Sequence, residues 1–223
     1  AVFSAFPFFL LCLTALFFSS KIKLLSCGID NLFLPYRIKQ FERSLFMSDF
    51  FQLVEQRESC RNYDPQKRPT KEQLINCIKA AQLAPSACNS QPWSFLVINS
   101  PEKAAVVAAS TQCAGFNKFT DNCPSFIAVC EEDAYLMGDP QHPNQKYAEI
   151  DLGIAVAHLC YAAKQQGLST CIMGAFDKKM LLEGLGITEE KRVRLVLSVG
   201  YAANDQLRTK KRKPLEQIMT YID

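Results

Sequence analysis

The stretch Pro85-Ser86-Ala87-Cys88-Asn89-Ser90-Gln91-Pro92-Trp93 separates two patterns that cannot merge into one element. Before it runs an apolar helical stripe, Leu74, Ile75, Ile78 and Ala81, opened by Thr70 and Gln73 in capping-box spacing after Pro69 and ending near Ala84. After it comes Phe95-Leu-Val-Ile-Asn99, which reads as a buried strand. Two prolines restrict the backbone on either side. Ser86, Asn89, Ser90 and Gln91 place hydroxyl and amide groups between them, beside the only tryptophan in the chain. Such a segment either positions a ligand or is an ordinary helix-to-strand turn with Trp93 as a core plug.

The rest of the chain continues the alternation. Ser48 or Asp49 can cap a helix reaching about Gln56, and a helix is expected around Glu102 to Ser110. A strand follows at Ser125 to Cys130 and a long helix at Tyr147 to Gln166, with Leu152, Ala155, Val156, Leu159, Cys160 and Ala163 at helical spacing. Gly153, Ala155, Ala157, Ala162 and Ala163 make that helix smooth on more than one side, which suits close packing by another helix, including one from a second subunit. Gly167 supplies a left-handed cap before a strand at Leu168 to Ile172 that runs into Met173-Gly174. Asp177 and Gly186 bracket a short helix over Lys178 to Leu185, and Val193 to Val199 is the most strand-like run. The pattern predicts one α+β domain, helices around a central sheet, over residues 47–223.

Residues 1–18 are uncharged and rich in Phe and Leu, as a signal or membrane anchor would be, but Pro7 interrupts them and no basic residue precedes them. We expect residues 1–46 to be a hydrophobic extension outside the domain and the protein to be cytoplasmic, with a membrane role only if residues 1–20 act as an anchor. That extension holds five of the 25 Lys and Arg and two of the 22 Asp and Glu, so the remainder is balanced. No basic stripe of the kind that binds nucleic acid is present. The ten cysteines form no CxxC pair, and Cys77, Cys130 and Cys160 fall within apolar patterns, as reduced buried thiols would. His142 and His158 lack neighbouring ligands at metal-binding spacing, so no metal is expected.

Two further segments point to an anion. In an extended segment, Arg57, Ser59 and Arg61 share one side and could converge on a single ligand; the alternative is a solvated turn. Lys210-Lys211-Arg212-Lys213 is a local basic cluster before Pro214, either a ligand site or a solvated run. Asn117 lies in a polar turn.

Taken in order, RxSxR at 57–61, PSxxNSQPW at 85–93, the helix and strand leading into Met173-Gly174, and KKRKP at 210–214 resemble the FMN-dependent nitroreductase family over about residues 48–219. The resemblance implies a three-layer α+β homodimer with a central, mainly antiparallel sheet, using FMN and NADH or NADPH. It assigns Arg57, Ser59, Lys210 and Arg212 to the FMN phosphate and ribityl chain, and Arg61 to the pyrimidine edge. Pro85, Ser86, Ala87 and Asn89 would touch the flavin held mainly by the other subunit, with Asn117 near the ring and the Gly174 N–H near flavin N5. Met173 stands where many relatives carry Glu. The implied reaction is ping-pong hydride transfer through the flavin to a nitroaromatic or quinone-type acceptor, without a protein nucleophile or acid/base pair. Two other readings keep the flavin. One is a membrane-anchored reductive dehalogenase, for which the substrate lid would have to use Glu131, Tyr135 and Lys146; the other is a non-enzymatic FMN-binding protein.

Overall fold

A computed structural model describes residues 49–223 apart from Pro140 and Asp205. The extension at 1–46 and the cap at Ser48 lie outside the described residues. Residues 51–223 form one compact unit. The described residues include five α-helices, α1 (residues 49–56), α2 (Lys71–Gln82), α3 (Pro101–Thr111), α4 (Ala148–Gln165) and α5 (Lys178–Leu185). Their four strands are β1 (Trp93–Ile98), β2 (Ser125–Glu131), β3 (Ser169–Met173) and β4 (Arg192–Gly200).

The local chemistry explains where these elements start and stop. Thr70 Oγ1 accepts the Gln73 N–H at 3.1 Å and Gln73 Oε1 accepts the Thr70 N–H at 3.0 Å, a complete capping box for α2. Ser100 caps α3 through the Lys103 N–H with Pro101 in the first turn, and Asp177 caps α5 through the Met180 N–H. Gly167 (φ 77°) and Gly186 (φ 76°) take the left-handed conformation that ends α4 and α5. Two details depart from the pattern in the sequence. Ile75 is exposed, and the buried stripe of α2 is Leu74, Cys77 and Ala81. The strand starts at Trp93, two residues before the expected Phe95; Trp93 pairs with Glu131 and packs against the core, as a plug would.

The sheet order is β1-β2-β4-β3, with every neighbouring pair antiparallel. All seven residues of β2 are buried, so this strand is covered on both faces. Phe126, Ala128 and Cys130 face one core with Ala104, Val107 and Ala108 of α3 and Leu181 of α5. Ile127 and Val129 face the other with Leu74 and Cys77 of α2 and Leu152, Val156 and Leu159 of α4. The period of two along the strand thus produces three layers, with α2 and α4 on one face and α3 and α5 on the other.

At the end of β2, Glu131 is 2% exposed and enters an ionic network. Its carboxylate accepts from Arg194 Nε at 2.5 Å and from Gln145 Nε2 at 2.6 Å, with Arg192 Nε 3.7 Å away. Burial alone would raise the Glu131 pKa, but the hydrogen bonds from Arg194 and Gln145 and the charges of both arginines outweigh it and hold the group below its ordinary value. A depressed carboxylate pKa contributes stability above the unfolded-state pKa that is lost as pH falls through the folded one. Glu131→Gln should therefore lower stability at neutral pH by about 2 kcal/mol and flatten the acid limb of stability against pH, read by denaturant unfolding between pH 7 and pH 3.

Candidate functional site

Residues 57–61 leave α1 and run extended beside the free edge of β3. Ser59 bridges Thr170 in parallel register, and the Cys60 N–H donates to the Thr170 carbonyl at 2.9 Å. The alternation expected of an extended segment is present, since Cys60 is 6% exposed and points into the core while Ser59 and Arg61 lie on the outer side. Burial pushes the Cys171 thiol up against the opposing charge of Arg61, and pushes Cys160 up against the opposing charge of Arg57. The two arginines therefore flank different parts of the same edge, Arg61 by β3 and Arg57 by α4.

The chain returns to this edge 150 residues later. Glu58 Oε2 accepts from the Arg208 N–H at 3.1 Å and from Arg208 Nε at 3.4 Å, and Arg208 Nη2 donates to the Ser59 carbonyl at 2.6 Å. The Lys210 ammonium donates to the carbonyls of Val54 (3.1 Å), Arg57 (2.7 Å) and Glu55, where α1 ends. Lys210 thereby caps carbonyls that the helix leaves without partners. Arg212 is exposed, and its guanidinium donates to the Lys211 carbonyl beside it. Between the two segments lies a cleft of about 370 Å³ lined by Arg57, Ser59, Arg61, Lys210 and Arg212, with Glu58 as the carboxylate among them. Burial lowers the Lys210 pKa, and the charges of Arg57 and Arg212 lower it further. Glu58 and Glu55 oppose these effects without cancelling them.

Met173 ends β3, buried at 3% exposure, and Gly174 follows it in the open; a Cβ built on Gly174 would have nothing within 4 Å. Asn117 (φ 52°) spans from α3 to this turn, donating through Nδ2 to the Thr111 carbonyl at 3.0 Å and the Ala175 carbonyl at 3.2 Å. The edge from Thr170 to Gly174 is about 13 Å long, at roughly 3.3 Å per strand residue.

The Pro85 segment lies elsewhere on the chain. Cys88 (φ 51°), Asn89 (φ 54°) and Gln91 (φ 50°) are all left-handed, a costly run for residues other than glycine. Ser86 Oγ accepts the Gln91 N–H at 2.9 Å, and Asp151 in the first turn of α4 accepts the Ala87 N–H at 3.1 Å. Arg57 lies by Cys160, nine residues further along α4, about 14 Å at 1.5 Å per residue. The candidate residues thus fall into two groups on the chain, the cationic edge with Asn117 and Gly174, and the Pro85 loop.

Sequence reasoning missed Arg208, Glu58 and Asp151. Asp151 had a visible signal, an acid on the stripe between Ala148 and Ala155 that is otherwise apolar. Arg208 had only its place four residues before Arg212.

This fold and site define a three-layer α+β protein with a cation-lined cleft at the edge of an antiparallel sheet. The family model described as the nitroreductase family matches residues 54–111 and 101–201. The chain belongs to the nitroreductase family and is an oxidoreductase. It is 30% identical over 189 residues to YdgI of Bacillus subtilis (strain 168), provisionally named an NAD(P)H nitroreductase, covering 71% of this chain and 90% of that protein. It is 24% identical over 197 residues to an iodotyrosine deiodinase of Haliscomenobacter hydrossis, covering 77% and 88%. Among solved structures, a provisionally named nitroreductase in complex with FMN from Exiguobacterium sibiricum 255-15 superposes with a TM-score of 0.66 at 26% identity, covering 77% of this chain and 96% of that one. Among the described residues, no helix is long and apolar enough to cross a membrane, and all eight described cysteines are free.

The contacts of the two cations separate their roles. Lys210→Ala should lower thermal stability by about 1–2 kcal/mol, because carbonyls at the end of α1 lose a charged donor, whereas Arg212→Ala should leave it unchanged. Differential scanning calorimetry of the two proteins in phosphate-free buffer measures the contrast.

Proposed function

We propose that this chain is an FMN-dependent NAD(P)H oxidoreductase that works as a homodimer. The observation that carries this reading is the cleft in which Arg57, Arg61, Lys210 and Arg212 crowd one edge of the sheet, together with the open space over Gly174 at the far end of β3. A phosphate dianion fits the first feature and a flat ring stacked close to the backbone fits the second. FMN, when bound, supplies hydride chemistry that turns over NADH or NADPH and then a nitroaromatic or quinone-type acceptor in alternation.

The residues present would divide the work. Arg57, Ser59 and Arg212 hold the phosphate and ribityl end by forked and hydroxyl hydrogen bonds, while Lys210 holds the arm that carries Arg212 against α1. Arg61 places a permanent cation at the pyrimidine edge, where charge accumulates on reduction. Asn117 fixes the turn after Met173 through the Ala175 carbonyl, so that the Gly174 N–H faces the ring. Pro85, Ser86, Ala87 and Asn89 form the opposite wall, contributed by the second subunit.

The homodimer is supported by the exposed side of α4, where Ile150 (61% exposed), Gly153 and Ala157 form an apolar stripe three and four residues apart. The dehalogenase alternative has less support. Glu131 would have to reach substrate from a lid, yet its carboxylate is buried and bonded to Arg194 and Gln145.

Purified protein should show the absorbance bands of bound oxidised flavin and oxidise NADH or NADPH for many turnovers per flavin in the presence of a quinone. Arg212→Ala removes one charge-assisted contact, about 1.5–3 kcal/mol, and should weaken FMN roughly tenfold to hundredfold while leaving riboflavin unchanged. Equal losses for the two flavins in titrations of apoprotein would refute the placement of the phosphate. Mixing Asn89→Asp protein with Arg57→Glu protein should restore flavin binding to heterodimers, because one of their two sites is then unmutated; heterodimers that bind none would refute the shared site.

A further inference from the structure

Asp151 is 4% exposed and has no charged partner among the ion pairs of the described residues. A buried carboxylate needs compensation. It receives this from the N-terminal turn of α4, whose field favours an anion, and from the Ala87 N–H at 3.1 Å. Ala87 opens the run in which Cys88, Asn89 and Gln91 are left-handed.

Left-handed residues other than glycine persist only where the surroundings over-determine them. Three bonds inside the loop help, from the N–H groups of Asn89, Ser90 and Gln91 to the Ser86 carbonyl, the Ala87 carbonyl and Ser86 Oγ. Among the described residues, three more hydrogen bonds reach residues 86–90 from elsewhere in the fold. Two come from an exposed segment, Tyr135 N–H to Ser90 Oγ at 2.7 Å and Met137 N–H to Cys88 Sγ at 3.2 Å. Only the third, to Asp151, ties the loop to a buried side chain of a helix.

We propose that Asp151 is a positioning residue: by fixing the direction of the Ala87 N–H, it sets the strained loop in the conformation that presents Ser86, Ala87 and Asn89 to the flavin. The inference rests on the flavin reading above and adds to it a residue outside the binding wall. Asp151 touches neither flavin nor substrate and acts through Ala87 alone.

The test compares wild type, Asp151→Asn, which keeps an acceptor oxygen, and Asp151→Ala, which has none. Amide hydrogen exchange at Ala87, measured on apoprotein, should quicken at least tenfold in Asp151→Ala. The dissociation constants of FMN and riboflavin should rise together by about tenfold, unlike the phosphate-specific loss expected for Arg212→Ala. Asp151→Asn should restore both affinities to within about twofold of wild type even if its melting temperature falls, a rescue that a purely structural role would not produce. If Asp151→Ala does not fold, Asp151→Ser, whose hydroxyl is too short to reach Ala87, replaces it. Unchanged Ala87 exchange, or unchanged flavin affinity in the Ala or Ser variant, overturns the proposal while leaving the flavin reading intact. Failure of wild type to bind either flavin overturns both.

Discussion

Every residue of β2 is buried, and much of the structure follows from that constraint. A strand with no solvent face cannot lie at the surface, so it requires a strand on each side and a helix layer on each face. β1 and β4 supply the first, α3 with α5 and α2 with α4 the second. The outer strand β3 is left with one edge free to pair with something other than a strand of the sheet. The segment at 57–61 takes that place, with Ser59 at Thr170, and carries the arginines to the edge. The location of the cleft is therefore a consequence of sheet order.

The same edge divides its charges into two kinds. Arg208 and Lys210 are committed to backbone carbonyls and to Glu58 and hold the arm in place. Arg57, Arg61 and Arg212 line the cleft, with no such hold on the arm. Residues that look equivalent in the run at 208–213 thus have different work, because a lysine ammonium satisfies several carbonyls at a helix end while a planar guanidinium suits a forked contact with an oxyanion.

Most of the fold was legible in the sequence because it is local. Thr70 with Gln73, Asp177 and Gly186 announce helix ends through bonds only a few residues long, and the burial of β2 on both faces appears as the apolar run from Phe126 to Cys130. The order of the strands was not legible, because it is set by packing between distant segments. Ile75 looked like core on periodicity, and only the position of α4 decides that Cys77 occupies that face instead. The site shows the same division. The cationic character of 57–61 and 210–212 is written in residue types. The Glu58–Arg208 pair spans 150 positions and the Glu131–Arg194 contact 63, distances over which spacing carries no signal. Asp151 stood out as an acid on an apolar stripe, but its partner, one backbone N–H, belongs to no side-chain motif.

The pairing of residues 57–61 with 208–212 bears on the order of events during synthesis. The two walls of the cleft are separated by almost the whole domain, so a growing chain exposes its arginine segment long before the arm exists to meet it. At roughly 5–20 residues per second, translating the 150 intervening positions takes about 8–30 s. During that interval the sheet lacks β3 and β4 for much of the time, and the arginines face solvent with no opposing wall. The cleft between the two segments therefore cannot close around anything until residues 208–212 have been made.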